Sequence, residues 1–193
     1  MSHSPRIAFI VGSTRTGRFG QVVANWFTAQ AQELGYPHID LIDLAEADLP
    51  VVLPGSATAA RPTAVRTVAR RLAEAEAFVV LTPEYNHSFP ASLKNAIDWY
   101  QQEWQAKPVG FVSYGGISGG LRAVEQLRQV FAELHTVTVR DSVSFHQAWE
   151  QFDDSGLPRD PTGCNGAAKA LLDQLAWWAQ ALTEARAARP YTA

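Results

Sequence analysis

The sequence predicts an α/β fold, a parallel sheet with helices on both faces, and three observations carry that expectation. Apolar residues switch repeatedly between short continuous runs and helical spacing, the pattern of strands buried on both faces alternating with covering helices. Five such alternations follow one another with no internal repeat or low-complexity tract. The 193 residues are 47% apolar and 18% charged, an ordinary globular composition whose length suits one domain, residues 1–193.

Residues 6–11 read as the first strand. Val23, Trp26, Phe27, Gln30, Ala31 and Leu34 then recur at steps of three and four, predicting a helix that stops at Gly35 with Pro37 just beyond. Residues 38–44 form the second strand, and 50–62 have the Pro, Gly, Ser and Ala content of a loop. A helix over 63–76 turns Val65, Val68, Ala69 and Leu72 inward, and 78–82 is a fully apolar third strand. Pro90 opens a helix over 91–100, because in a first turn its missing N–H removes no internal bond. Residues 109–114 are the fourth strand; Leu121, Val124, Leu127, Phe131 and Leu134 mark the next helix, and 137–143 the fifth strand. A helix over 167–186 closes the chain, with Leu171, Leu175, Trp178 and Leu182 inward.

Sixteen Lys and Arg against nineteen Asp and Glu leave a formal charge of −3, which argues against a nucleic-acid binder, since those carry a basic face or stripe. The single cysteine, Cys164, makes neither an internal disulfide nor a Cys-rich zinc site, and the five histidines lack ligand spacing. No apolar run approaches the roughly 18 residues of a membrane span, and the first six residues lack the pattern of a signal peptide. The expected compartment is the cytoplasm.

In folds of this kind ligands bind outside the carboxyl ends of the strands, where the strand order reverses. The unusual residues follow strands one, three and four. After the first strand stands Gly12-Ser-Thr-Arg-Thr-Gly-Arg-Phe-Gly20, leading into a helix whose free N–H groups and dipole favour an anion. Ser13 and Thr14 add hydroxyls; Arg15 and Arg18 add charge in a form that grips two phosphate oxygens at once. Gly12 and Gly17 have the glycine spacing of a P-loop, but Arg18-Phe19 stands where Lys and a hydroxyl residue are needed, and Arg15 breaks a dinucleotide fingerprint. A single phosphate fits better.

The second loop, Thr82-Pro-Glu-Tyr-Asn-His-Ser-Phe-Pro90, is stiffened by a proline near each end, so its backbone can present N–H and C=O groups to a flat polar ring while Tyr85 offers a face. Glu84 and Asn86 could instead cap the next helix. His87 is assigned no acid or base role. The third loop, Ser113-Tyr-Gly-Gly-Ile-Ser-Gly-Gly120, has four glycines in eight positions, a bare backbone that a planar ligand can approach and whose amides can form a nest for a partial negative charge.

Gly12-Ser-x-Arg15, then Pro83-Glu-Tyr-Asn-x-Ser-x-Pro-x-x-Leu-Lys-Asn-Ala-Ile-Asp-Trp99, then Gly115-Gly-x-x-Gly-Gly-x-Arg-Ala123 resemble the NAD(P)H-dependent FMN reductase family of flavodoxin-like proteins, whose members include quinone, azo and chromate reductases. The resemblance covers residues 6–135, weakens beyond Phe145, and implies a five-stranded parallel sheet of order 2-1-3-4-5. It implies that Ser13, Arg15, Gly20 and Gln21 hold the FMN phosphate, with Arg18 facing phosphate, solvent or a nucleotide. Pro83, Glu84, Tyr85 and Asn86 would border the isoalloxazine ring. Ser113, Tyr114, Gly115 and Gly116 would line its pyrimidine end, and Gly119 and Gly120 allow close approach. Lys94, Asn95 and Asp98 belong to the same pattern and are read as structural ties.

The resemblance further implies that NAD(P)H delivers hydride to the flavin and that a quinone, azo or nitro compound or metal oxyanion takes the electrons, the protein supplying position and polarity and no catalytic side chain. Two other readings compete: a flavodoxin-type electron carrier serving a protein partner, and a flavin-binding module without catalysis. Net charge and the two loop arginines disfavour the carrier. Family likeness implies a homodimer, with tetramers among some members, and Trp99, Tyr100 and Trp104 around the 91–100 helix are the candidate contact. The aromatic segment 142–161, with Phe145, Trp149 and Phe152, reads either as a lid over the core or as a flap onto another subunit. Cys164 reads as a small residue near a helix start.

Overall fold

A computed structural model describes residues 4–55 and 60–192. Residues 1–3, 56–59 of the expected 50–62 loop, and 193 lie outside the described residues. Five parallel strands, β1 (Ile7–Val11), β2 (Ile39–Asp43), β3 (Ala77–Pro83), β4 (Pro108–Tyr114) and β5 (Val137–Phe145), stand in the order β2-β1-β3-β4-β5. The order reverses between β1 and β3, so the ends of these two strands open a crevice. Every residue of β1, β3 and β4 is buried, as their unbroken apolar runs require, whereas the edge strands β2 and β5 are only partly covered.

Helices α1 (Gly20–Glu33) and α6 (Pro161–Ala188) cover one face around Phe9, Phe27, Val112 and Leu175. Helices α2 (Thr63–Glu74), α3 (Ala91–Asp98) and α4 (Leu121–Glu133) cover the other around Ile10, Phe78, Trp104 and Phe111. Gly110 sits where β4 and β5 shift register, and a Cβ there would stand 2.6 Å from Leu171 Cδ1, so the missing side chain lets α6 close onto the sheet.

The elements match the expected ones except at the C-terminal end of the chain. Strand β5 runs on to Phe145, and one turn of helix, α5 (Ala148–Gln151), follows it. Helix α6 begins at Pro161 rather than at 167, although Gly163, Asn165 and Gly166 are poor helix formers. Pro161 occupies the first turn, the Asp160 side chain accepts from Thr162 N at 3.2 Å, and Trp26 Nε1 donates to Asn165 Oδ1 at 3.1 Å. A cap and a tertiary contact override weak local propensity. The expected interface aromatics need a second correction: Trp99, Tyr100 and Trp104 are 5%, 2% and 2% exposed and belong to the core of this chain, where Trp104 packs on Phe78, Tyr100 and Phe131, instead of facing outward.

Lys107, just before β4, is buried and donates to the Leu72 and Ala73 carbonyls in the last turn of α2, at 2.8 and 3.1 Å. These are carbonyls that a helix end leaves without partners. Burial, aided by the Arg186 charge, pulls its ammonium from 10.5 down to about 8. Between those values the unfolded chain holds more of the proton, so folding stability rises with pH across the window. Relative to Lys107→Met, the native protein should gain on the order of 2–3 kcal/mol between pH 7.5 and 10 in urea melts. Burial raises the Tyr36, Tyr100 and Tyr114 phenols, which opposes this above pH 10 equally in both proteins. Parallel pH profiles for the two would contradict the assignment.

Candidate functional site

The first loop leaves β1 through Gly12, whose amide donates to Leu81 O at 2.9 Å and whose carbonyl accepts from Ser92 Oγ at 2.6 Å. A Cβ on Gly12 would be 3.3 Å from both Leu81 O and a Leu93 methyl, so this close seat on β3 and α3 suits glycine. Ser13 is buried, and its hydroxyl shares a 2.6 Å hydrogen bond with the Tyr85 hydroxyl, tying the first loop to the second. Arg15 is exposed and lies over the Tyr85 ring, 5.4 Å from its centroid. Gly20 opens α1, whose N-terminus receives no side-chain cap.

Arg18 pairs with Asp43 at the end of β2, and Asp43 also accepts from Ala45 N at 2.9 Å. The pair is largely covered, at 20% and 5% side-chain exposure. Asp43 was not among the residues expected from the sequence; a carboxylate at the carboxyl end of the second strand, beside a ligand edge, is the signal that could have found it. Arg18 Nε remains buried without a hydrogen-bond partner among the described residues.

In the second loop, Asn86 and His87 both have positive φ, at 49° and 72°, and Tyr85 and Ser88 exchange backbone hydrogen bonds of 2.8 and 3.0 Å. This is a two-residue turn of the mirror-image type. Its stiffness comes from α4 as well as from proline. Gln126 accepts from Ser88 Oγ at 2.6 Å and donates to His87 O at 2.8 Å, while the Glu84 carboxylate receives Arg122 N and the Arg122 guanidinium, each at 3.2 Å. Glu84 thus caps α4, a helix distant in sequence from its own.

The third loop folds back on itself. Ser113 Oγ and Ser144 Oγ both donate to Gly119 O, at 2.8 and 2.9 Å, and Gly115 N and Ala148 N link the loop to β5 and α5. Gly119 and Gly120 pack inward against Ser144, His146 and Ser113, while the backbone of Gly115 and Gly116 is turned to the crevice. Tyr114 is 4% exposed and stands over Gly20, where a Cβ would come within 2.5 Å of its hydroxyl. Among the described residues that hydroxyl has no hydrogen-bond partner, and burial, with the Tyr85 hydroxyl nearby, pushes its pKa up, so it is a neutral donor at any ordinary pH.

The loops enclose a cavity of about 360 Å³ lined by Ser13, Arg15, Arg18, Glu84, Tyr85, Tyr114 and Trp149, among others. Of the expected residues, Ser13, Arg15, Arg18, Pro83, Glu84, Tyr85, Tyr114, Gly115 and Gly116 line it; Gly20, Gln21, Asn86, Ser113, Gly119 and Gly120 stand behind or beside it. Gln21 donates to Asn25 at 2.9 Å. A larger cavity of about 760 Å³ lies by Lys107, Arg186 and Tyr191, but its cationic nitrogens already serve main-chain carbonyls, and it has no glycine loop. The expected structural role of the α3 motif is visible: Lys94 pairs with Asp98 at 2.7 Å, and Asn95 and Trp99 hold Pro50 O at 3.2 and 2.8 Å.

The family model for NADPH-dependent FMN reductase matches residues 5–150, a span that takes in all three loops. The chain belongs to this family. It is similar to an NAD(P)H-dependent FMN reductase of Schizosaccharomyces pombe, 34% identical over 132 residues that cover 66% of each chain. A quinone reductase of Pseudomonas putida is 31% identical over 186 residues, covering 92% of this chain and 96% of its own. Among solved structures, the flavoenzyme NAD(P)H:(acceptor) oxidoreductase FerB of Paracoccus denitrificans superposes with a TM-score of 0.74 at 23% identity, over 92% of this chain and 98% of its own. At that identity the likeness shows the fold, which is flavodoxin-like.

As a member of the NADPH-dependent FMN reductase family the chain is an oxidoreductase with FMN as cofactor and NAD(P)H as co-substrate. The residues fit that cofactor. Two buried polar atoms without partners, the Tyr114 hydroxyl and Arg18 Nε, stand at the loop that ends in the α1 N-terminus, where a phosphate-bearing tail would satisfy them. The Gly115–Gly116 backbone leaves the other side open to a flat ring. No group of His, Cys, Asp and Glu among the described residues could hold a metal ion. No helix among them is long and apolar enough to cross a membrane.

Proposed function

We propose that the chain binds FMN in the 360 Å³ cavity and uses it to carry two electrons from NAD(P)H to a small oxidised acceptor, a quinone in the first place and azo, nitro and metal-oxyanion acceptors through the same opening. The observation that carries this reading is the convergence of three loops on one cavity, with unpartnered donors at its phosphate end and bare backbone at its ring end. Bound FMN supplies redox chemistry that none of the side chains can perform, so that NAD(P)H, a proton and a quinone give NAD(P)⁺ and the hydroquinone.

The chain's own residues bind and orient. Ser13, Arg15, Arg18 and the Gly20 and Gln21 amides would receive the phosphate, joined by the neutral Tyr114 hydroxyl. The main chain of Pro83, Glu84, Tyr85 and Asn86 would border the ring. Ser113, Gly119 and Gly120 would hold the bend that presents the Gly116 amide to its electron-rich end, where a preorganised dipole favours added negative charge. We assign the reaction to the cytoplasm, which the lone free Cys164 suits.

Anaerobic mixing tests the proposal. Purified protein titrated with FMN should bind it and bleach on adding NADH or NADPH, then recover its yellow colour with a quinone. Flavin that binds but bleaches only with artificial reductants supports the electron-carrier reading instead. We also propose a homodimer. The exposed strip Val51, Val52 and Leu53, fastened to α3 through Pro50 O, replaces the buried tryptophans as the contact. Light scattering that returns the mass of a single chain would end that part.

A further inference from the structure

We propose that Trp149 is the platform on which a planar aromatic acceptor stacks at the mouth of the cavity, so that this side chain selects flat ring acceptors over non-planar ones. The inference rests on the FMN reading of the cavity and goes beyond it by naming the acceptor subsite. The other aromatics of the segment after β5 serve the fold: Phe145 packs on Trp26 and Phe152 at 5.1 and 4.9 Å, and Phe152 meets Phe19 at 5.3 Å. Trp149 does not. It is 61% exposed between Ala148 at 2% and Phe152 at 4%, yet it lines the cavity.

Its position is built. Gln147 N donates to Gly116 O at 2.9 Å and Ala148 N to Gly115 O at 3.0 Å, so the turn carrying Trp149 is stapled to the loop that forms the cavity wall. Gln147 holds a left-handed φ of 46°, an unfavourable conformation for a residue with a side chain, and such conformations gather at functional sites. A Cβ on Gly116 would lie 3.6 Å from the Trp149 ring, so bare backbone adjoins the indole. Arg15 over Tyr85 lines the same cavity and adds positive potential, which suits an acceptor that gains negative charge as it is reduced. An indole face stacks well on an electron-poor ring, and an octahedral metal complex gains nothing from it.

Trp149→Ala and Trp149→Phe in the FMN-loaded enzyme test this. The alanine variant should raise KM for 1,4-naphthoquinone about tenfold, with kcat within about twofold, and the phenylalanine variant should restore most of the loss. Ferricyanide reduction and the FMN Kd should not change. Calorimetry with naphthalene-2-carboxylate, which accepts no electrons, should show the same tenfold weakening in the oxidised enzyme. An unchanged naphthoquinone KM overturns the proposal, as does a weakened FMN Kd with acceptor KM intact, which would make Trp149 a cofactor contact. Dissociation of an oligomer without a KM change overturns it in favour of a subunit contact. Wild-type protein that binds no FMN would overturn the cavity reading itself, a result distinct from any of these.

Discussion

Asp43→Ala should lower the unfolding free energy by about 2–4 kcal/mol, because it leaves the largely covered Arg18 guanidinium without its counter-charge. Removing one partner of a covered pair is worse than removing both, since the remaining charge keeps its desolvation cost without any compensating attraction. The double variant Asp43→Ala/Arg18→Met should therefore recover at least half of the loss in urea melts. The same pair of variants separates stability from binding. With Arg18 replaced, the preference for FMN over riboflavin, which differ by the phosphate, should shrink about tenfold, as expected for one lost charge-assisted hydrogen bond. If Asp43→Ala is as stable as the native protein, the ion pair does not hold the first loop to β2.

Gly120→Ala should be the most damaging small change in the site. Its φ is +85°, and a Cβ would stand 2.7 Å from Ser113 Cβ and 2.9 Å from Tyr114 N, neither of which can move without breaking the end of β4. Left-handed strain and backbone displacement together should cost about 3–4 kcal/mol, a Tm fall of roughly 8–12 °C for a chain of this length. Gly17→Ala is the control. Its φ is +66° but a Cβ there meets nothing within 4 Å, so only the conformational term remains, about 1–2 kcal/mol. Equal Tm losses for the two would show that crowding at the third loop contributes nothing. FMN affinity should also fall with Gly120→Ala, because Gly120 shapes the bend behind Gly115 and Gly116 without lining the cavity.

The central strands and the three loops were legible in the sequence because each rests on a local rule. Strands buried on both faces need unbroken apolar runs, and β1, β3 and β4 have them. Glycines concentrate where a chain must turn tightly or lie close to a neighbour. Local rules do not reach where distant residues decide. Three interface aromatics proved to be core, since exposure depends on what the rest of the chain brings against a ring, and Trp104 is enclosed by Phe78 and Phe131. The start of α6 was hidden by weak helix formers that Trp26, more than a hundred residues away, helps to fasten.

The sequence by itself determined the layered α/β architecture and the edge of the sheet that carries the site, while the kind of cofactor came from the resemblance of three motifs to a known family. Periodicity, glycine placement and motif spacing are properties of neighbouring residues, and they survive in one dimension. Only the tertiary structure decided how those residues divide their work. It paired Arg18 with Asp43, gave Glu84 to the start of α4, turned Gly119 and Gly120 inward, set Trp149 on the crevice wall and left the Tyr114 hydroxyl there with no hydrogen-bond partner among the described residues. A polar side chain takes whichever partner folding brings within about 3 Å, and that partner can lie anywhere along the chain.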